Sequence, residues 1–135
     1  MKICGIELKS NTLVLSLIEY INDEIKYIDV KEKKFVLEND ENKDSILDFK
    51  NRLDNFILKN SIEKIVIKKR AKKGNFAGGA ITFKIESIIQ LNSYCNVVFI
   101  SSQGIAKFQK EKEFDFPTSL NKYQEQAYLS AIANI

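Results

Sequence analysis

The sequence predicts an α/β domain: a five-stranded mixed β-sheet flanked by helices. Two strand-length apolar runs open the chain around a tight turn, and a third run follows. Helical and strand patterns then alternate to the end. The resulting order, β-β-β-α-β-α-β-α-α, begins antiparallel and continues as crossover units, which produces a mixed sheet. The chain has 135 residues, 44% of them hydrophobic and 29% charged, so one domain spanning 1–135 with a single core is expected.

Residues 2–9 (KICGIELK) and 12–20 (TLVLSLIEY) read as two strands joined by a short turn through Ser10 and Asn11. A third strand is expected within 25–37, where Ile25, Tyr27, Phe35 and Leu37 recur with rough alternation. Glu38–Asp44 is polar and acidic, a loop. Ile46, Phe49, Leu53, Phe56 and Ile57 then recur at three- and four-residue spacing, which predicts an amphipathic helix over 45–59. Ser45, with Asp48 three residues on, is its expected cap. Residues 63–68 carry Ile65, Val66 and Ile67, the short apolar run of a buried parallel strand. A basic loop, Lys69–Gly74, leads to a second helix over 76–92. Strand 96–100 (NVVFI), a Ser101-Ser102 capping pair, a short helix to about Lys110, a Phe114–Pro117 connector and a last helix from Asn121 to Ala133 complete the chain.

Composition narrows the chemistry. Histidine is absent, which removes Ser-His-Asp and Cys-His catalysis, HExxH metalloproteases and Cys₂His₂ zinc sites. Acid–base or metal chemistry has to rest on Asp, Glu, Lys or Tyr. Net charge is +3, and of 21 cationic residues only Arg52 and Arg70 are arginine, the better residue for bidentate recognition. No stretch reaches the ~20 apolar residues of a membrane-spanning helix. The apolar run of the first ten residues is broken by Glu7 and Lys9, unlike a secretory leader. Cys4 and Cys95 lie in strand-like runs and read as two buried free thiols rather than a disulfide framework. A cytoplasmic protein is the expectation.

Gly5-Ile6-Glu7 on the first strand, followed by a tight turn and a second strand, resembles the G-[IV]-[DE] opening of RNase H-like nucleases. Holliday-junction resolvases of the RuvC type and pre-ribosomal-RNA processing nucleases are examples. The element order is that of the RNase H-like fold. Cys4–Lys9 (CGIELK) and Lys73–Glu86 (KGNFAGGAITFKIE) are similar to an uncharacterised family of short bacterial proteins with this fold, and the similarity spans essentially the whole chain. The resemblance implies that the first and fourth strands are neighbours. It also implies two divalent ions, Mg²⁺ or Mn²⁺, held by carboxylates on the first strand, at the end of the fourth strand and on the last helix. Glu7 matches the first of these and Glu125 the helix acid, which makes both candidate catalytic residues and metal ligands. At the end of the fourth strand the chain reads Ile67-Lys68-Lys69-Arg70, with Lys69 where the resemblance implies an acid. A lysine there sets an ammonium near Glu7 in competition with metal, whereas two dications need several carboxylates. Strand alternation then turns Lys68 to the opposite face, and a bulge at the strand end would swap the two. The plainer alternatives are a Glu7 paired with a lysine and a Glu125 on a solvated helix face.

Lys64, Lys68, Lys69, Arg70, Lys72 and Lys73 place six positive charges within ten residues with no acid among them. The cluster falls where a strand ends and a helix begins, the end of an α/β sheet at which ligands bind. Lys68, Lys69, Arg70, Lys72 and Lys73 are therefore the candidate nucleic-acid-binding residues, with Ser101-Ser102-Gln103-Gly104 expected at the same end of the sheet. A solvated loop is the alternative. The Gly78-Gly79 pair lacks the spacing of a P-loop and is expected instead to let the helix pack closely on the sheet. Phe76 is a core residue or, less simply, a base-stacking one. Two functions compete. One is a nucleic-acid-interacting protein, a degenerate or divergent metal-dependent nuclease. The other is a non-catalytic interaction module acting as a homodimer.

Overall fold

The computed structural model describes residues 1–74 and 79–135. Strands β1 (Lys2–Lys9) and β2 (Thr12–Ile21) pair antiparallel around Ser10, which has φ 53°. A second tight turn at Asn22 and Asp23, with φ 53° and 64°, leads into β3 (Glu24–Ile28). Then follow β4 (Lys34–Val36), α1 (Lys43–Lys59), β5 (Lys64–Lys68), α2 (Ala80–Gln90), β6 (Asn96–Ile100), α3 (Ser102–Glu111) and, after a 3₁₀ turn at Lys122–Gln124, α4 (Glu125–Ile132). The sheet order is β3-β2-β1-β5-β6, with β1, β5 and β6 parallel to one another and β2 and β3 antiparallel. The first and fourth expected strands are thus neighbours, and β1 is central.

The expected third strand is two strands among the described residues. β3 pairs with Leu17–Ile21 of β2, and β4 pairs with Thr12–Val14. Between them the chain bends: Val30 N–H donates to Ile28 O and Lys33 pairs with Asp29 at 3.0 Å. The cap of α1 also differs. Asn42 is the N-cap and accepts from Ser45 N–H at 2.9 Å, while Ser45 Oγ accepts from Asn39 N–H at 2.9 Å, so the helix starts two residues early. Helix α2 is described from Ala80; positions 76–78, with Phe76 and Gly78, lie outside the described residues.

Strand alternation divides the core between the two faces. Cys4, Ile6 and Leu8 join Leu13, Leu15, Leu17, Ile65 and Ile67 beneath Phe49, Leu53 and Phe56 of α1 and Ile85 and Ile89 of α2. Ile3, Ile18 and Val66 meet Ile105 of α3 and Tyr128, Leu129, Ala131 and Ile132 of α4. Gly5 lies on this second face. A Cβ there would come within 1.9 Å of Ala127 O and 2.9 Å of Ala131 N, both backbone atoms of α4. Close helix–sheet packing is made at Gly5; of the later glycine pair expected to make it, Gly79 would give a Cβ nothing to meet within 4 Å, and Gly78 lies outside the described residues. Gly5→Ala is expected to destabilise by about 2–3 kcal/mol, because backbone cannot yield as a side chain can. Urea unfolding checks this: the midpoint should fall with the slope unchanged.

Both cysteines are free thiols; Cys4 is buried and Cys95 half-buried. Burial pushes both upward, Cys95 from 9.0 to about 11, and Cys95 itself adds to the shift at Cys4. Unfolded thiols ionise from about pH 9 while the folded ones keep their protons. The thiols should therefore lower stability as pH rises from 9 to about 11 and leave it unchanged below pH 8. Denaturation at stepped pH on wild type and Cys95→Ala checks the sign: the variant should show the shallower alkaline decline.

Candidate nucleic-acid interface

β5 and β6 are adjacent and parallel, so the loops after them open at the same end of the sheet, and Lys69 N–H still donates to Ile100 O at 2.8 Å. Beyond that bond the two connections diverge around a concavity of about 500 Å³, lined by Lys69, Arg70, Ala71, Lys72, Lys73, Ser101, Ser102 and Gln103. Ser101 caps α3 as its sequence implies, its Oγ accepting from Gly104 N–H at 3.0 Å. The first turn of α3, with its unpaired N–H groups, borders the same hollow. Gly74, with φ 91°, ends the described part of the basic loop in a conformation that suits glycine. On the opposite flank of this loop, Lys69, Arg70 and Lys72 share a smaller hollow with Phe83, Glu86, Gln90 and Phe99. Burial raises the Glu86 carboxyl above its ordinary range, with Lys72 and Lys69 pulling the other way.

Four of the five predicted binding residues, Lys69, Arg70, Lys72 and Lys73, are thus brought together on one basic shelf. Lys68 is turned elsewhere. The β1–β5 register pairs Ile6 with Ile67, so Glu7 and Lys68 follow side by side on the face that carries α4. Lys68 Nζ donates to Gln126 Oε1 of α4 at 3.0 Å and stands 3.7 Å from Glu7 Oε2. Glu7, only 5% exposed, has a second cation in Lys9 at 3.5 Å, whose side chain is 54% exposed. Neither approach is a hydrogen bond, and Glu7 Oε1 is buried without a hydrogen-bond partner among the described residues. The lysine facing Glu7 is therefore Lys68, not Lys69 as expected from the sequence: β5 runs through Lys68 without a bulge, so the parity set by Val66 carries onward.

Glu125 opens α4 and is half-buried, and its neighbour Gln126 is the residue that reaches the Glu7–Lys68 pair. Among the described residues there is no group of three or more His, Cys, Asp or Glu side chains placed to hold a metal. Sequence reasoning missed both amides. Gln124, fully buried, donates to Leu15 O at 2.9 Å and closes a capping box with Asn121, tying the start of α4 to β2. The capping-box spacing of Asn121 and Gln124 is the signal that could have found the first; nothing in the sequence marks Gln126.

The chain has an RNase H-like fold in which the central-strand carboxylate is paired with a lysine from the adjacent strand. Thermus thermophilus RuvC superposes with a TM-score of 0.67 over 98% of this chain and 92% of its own, at 11% identity. The same protein in complex with Holliday junction substrate gives 0.67 over 98% and 91%, at 10% identity. The Fowlpox virus resolvase in complex with Holliday junction DNA gives 0.53 over 99% and 91%, at 16% identity. At such identities the likeness is one of fold. The chain belongs to a family of proteins of unknown function, DUF3010, whose profile matches residues 1–134. No curated protein matches the sequence. No helix among the described residues is long and apolar enough to cross a membrane.

Removing one member of a buried ion pair strands the other charge, so Lys68→Met is expected to destabilise by about 3 kcal/mol or more. Lys9→Met, at an exposed partner, should cost under about 1 kcal/mol. In the double variant Glu7→Gln with Lys68→Met much of the Lys68 loss should return. A double-mutant cycle by chemical denaturation measures the coupling, and additive losses would show that the pair does not interact.

Proposed function

We propose that this protein binds the phosphate backbone of nucleic acid on the basic shelf and is a degenerate member of the nuclease fold rather than an active one. The observation that carries the reading is the convergence of Lys69, Arg70, Lys72 and Lys73 with Ser101, Ser102 and the α3 N-terminus around one hollow. Ammonium groups and helix N–H groups suit phosphate oxygens, and nothing in the lining reads base edges with the bidentate geometry of paired arginines. Binding is accordingly electrostatic and sequence-independent. T. thermophilus RuvC is known in complex with Holliday junction substrate and the Fowlpox virus resolvase with Holliday junction DNA, which makes branched DNA the first ligand to try. The donor set around Glu7 is unsuited to Mg²⁺ or Mn²⁺, which supports binding without metal-dependent cleavage. The bacterial cytoplasm is the compartment this reading implies.

Fluorescence anisotropy with single-stranded, double-stranded and four-way-junction DNA and with RNA tests it at ~50 mM salt, where non-specific binding is still strong. Affinity should fall steeply with salt. Charge reversal at Lys72 and Lys73 should weaken all ligands alike and flatten the salt slope by about one for each phosphate no longer neutralised. Glu86→Gln, which removes the acid beneath the loop, should tighten binding modestly. Wild-type protein with no affinity for any of these ligands would end the proposal. In that event a second reading gains, a homodimeric interaction module. It is favoured by β6, an edge strand with no charged residue, beside which Leu91 is 69% and Tyr94 51% exposed. Light scattering would then show a dimer that Tyr94→Glu dissociates.

A further inference from the structure

We infer that Lys68 is the resident cation of the Glu7 site: its ammonium fills the position a divalent metal requires, and the protein takes neither Mg²⁺ nor Mn²⁺ there. This does not rest on the shelf binding nucleic acid, because Glu7, Lys68 and Gln126 do not line the hollow.

The donor set is the first argument. A dication of this class needs several hard oxygen ligands, most of them anionic. Glu7 supplies one carboxylate, and what closes around it is an ammonium and an amide. Glu7 and Lys68 already cancel, and Lys9 adds a further positive charge at 3.5 Å from Glu7 Oε1, so the local charge repels rather than attracts a cation.

Geometry is the second argument. Lys68 is not a mobile surface lysine that metal could push aside. Its side chain is 17% exposed, its backbone is paired with Ile100 of β6 directly after the last β1 partner, Ile67, and its Nζ is held by Gln126 Oε1 at 3.0 Å. Gln126 is in turn fixed, because α4 lies directly on β1 where Gly5 has no Cβ. Displacing the ammonium would bury a second positive charge beside it or force the strand end apart.

The third argument is that the arrangement fits an ammonium. Lys68 Nζ donates to the Gln126 carbonyl and faces the Glu7 carboxylate as an ion pair at 3.7 Å, one neutral and one charged oxygen partner.

The test is calorimetric titration of Mn²⁺ into wild type, Lys68→Glu and Lys69→Glu. The two variants change net charge equally, but only position 68 faces Glu7. Wild type should give the same heat as Glu7→Gln, and so should Lys69→Glu. Lys68→Glu should bind one Mn²⁺ at least ~tenfold more tightly than wild type, and a further Glu7→Gln should abolish the gain. Should Lys68→Glu fail to fold without metal, Lys68→Gln takes its place, and the reading is the melting temperature with and without Mn²⁺. It should rise for this variant and stay level for wild type. Stoichiometric Mn²⁺ binding by wild type that disappears in Glu7→Gln would overturn the inference. So would equal behaviour of the position 68 and position 69 variants.

Discussion

The packing of α4 against the middle of β1 is the constraint on which the other features depend. Gly5 leaves no room for a side chain because the backbone of Ala127 and Ala131 fills that space. A helix seated so low on a sheet brings its own side chains to the level of the strands. That is why Gln126 reaches Lys68, why Gln124 reaches the carbonyl of Leu15, and why Tyr128 meets both Tyr27 of β3 and Phe116 of the connector. The connector is bound in by the same arrangement. Phe108, Phe114 and Phe116 form a chain of tilted and edge-on ring pairs that ends on Tyr128. Raising the helix by the thickness of a methyl group would loosen all of these together.

Much of the fold was legible because it is written in apolar periodicity. β1, β2, β5 and β6 fall within a residue or so of their expected bounds, and the buried stripe of α1, Phe49, Leu53, Phe56 and Ile57, is the one its spacing predicts. What failed were features set by partners distant in sequence. The β3–β4 break carries neither glycine nor proline; it follows from two segments pairing with different halves of one long strand. Lys68 and Lys69 differ only in parity, and parity at a strand end depends on whether a bulge intervenes, which local sequence does not reveal. The part played by Gly5 could have been suspected, since a glycine inside a strand marks close approach of another backbone. The partner, a helix more than a hundred residues away, could not have been named.

Two sets of charges, adjacent in the chain, are put to different use by their surroundings. Lys69, Lys72 and Lys73 are exposed, so their fields are screened by water and add up only in the presence of a polyanion. Lys68 is withdrawn from solvent and interacts with one carboxylate at short range, where the effective dielectric is lower. A single strand ending, read as one basic run, therefore separates into an outward shelf and an inward bond. The separation is made by the turn after Lys68, the point at which the chain leaves the sheet.

The inward bond also shapes which sequences lie within reach of this one. Changing Glu7 alone leaves a buried ammonium without its counter-charge, and changing Lys68 alone leaves a buried carboxylate with only the exposed Lys9 for company. Either step meets a stability loss that only the second step relieves. Proteins with a margin of some 5–15 kcal/mol rarely tolerate such an intermediate unless another change precedes it. The shelf faces no barrier of this kind, since each of its solvated lysines can be exchanged singly at little cost to folding. The strength with which this chain grips an anion is thus free to drift, while the charge pattern beneath α4 is locked in as a pair.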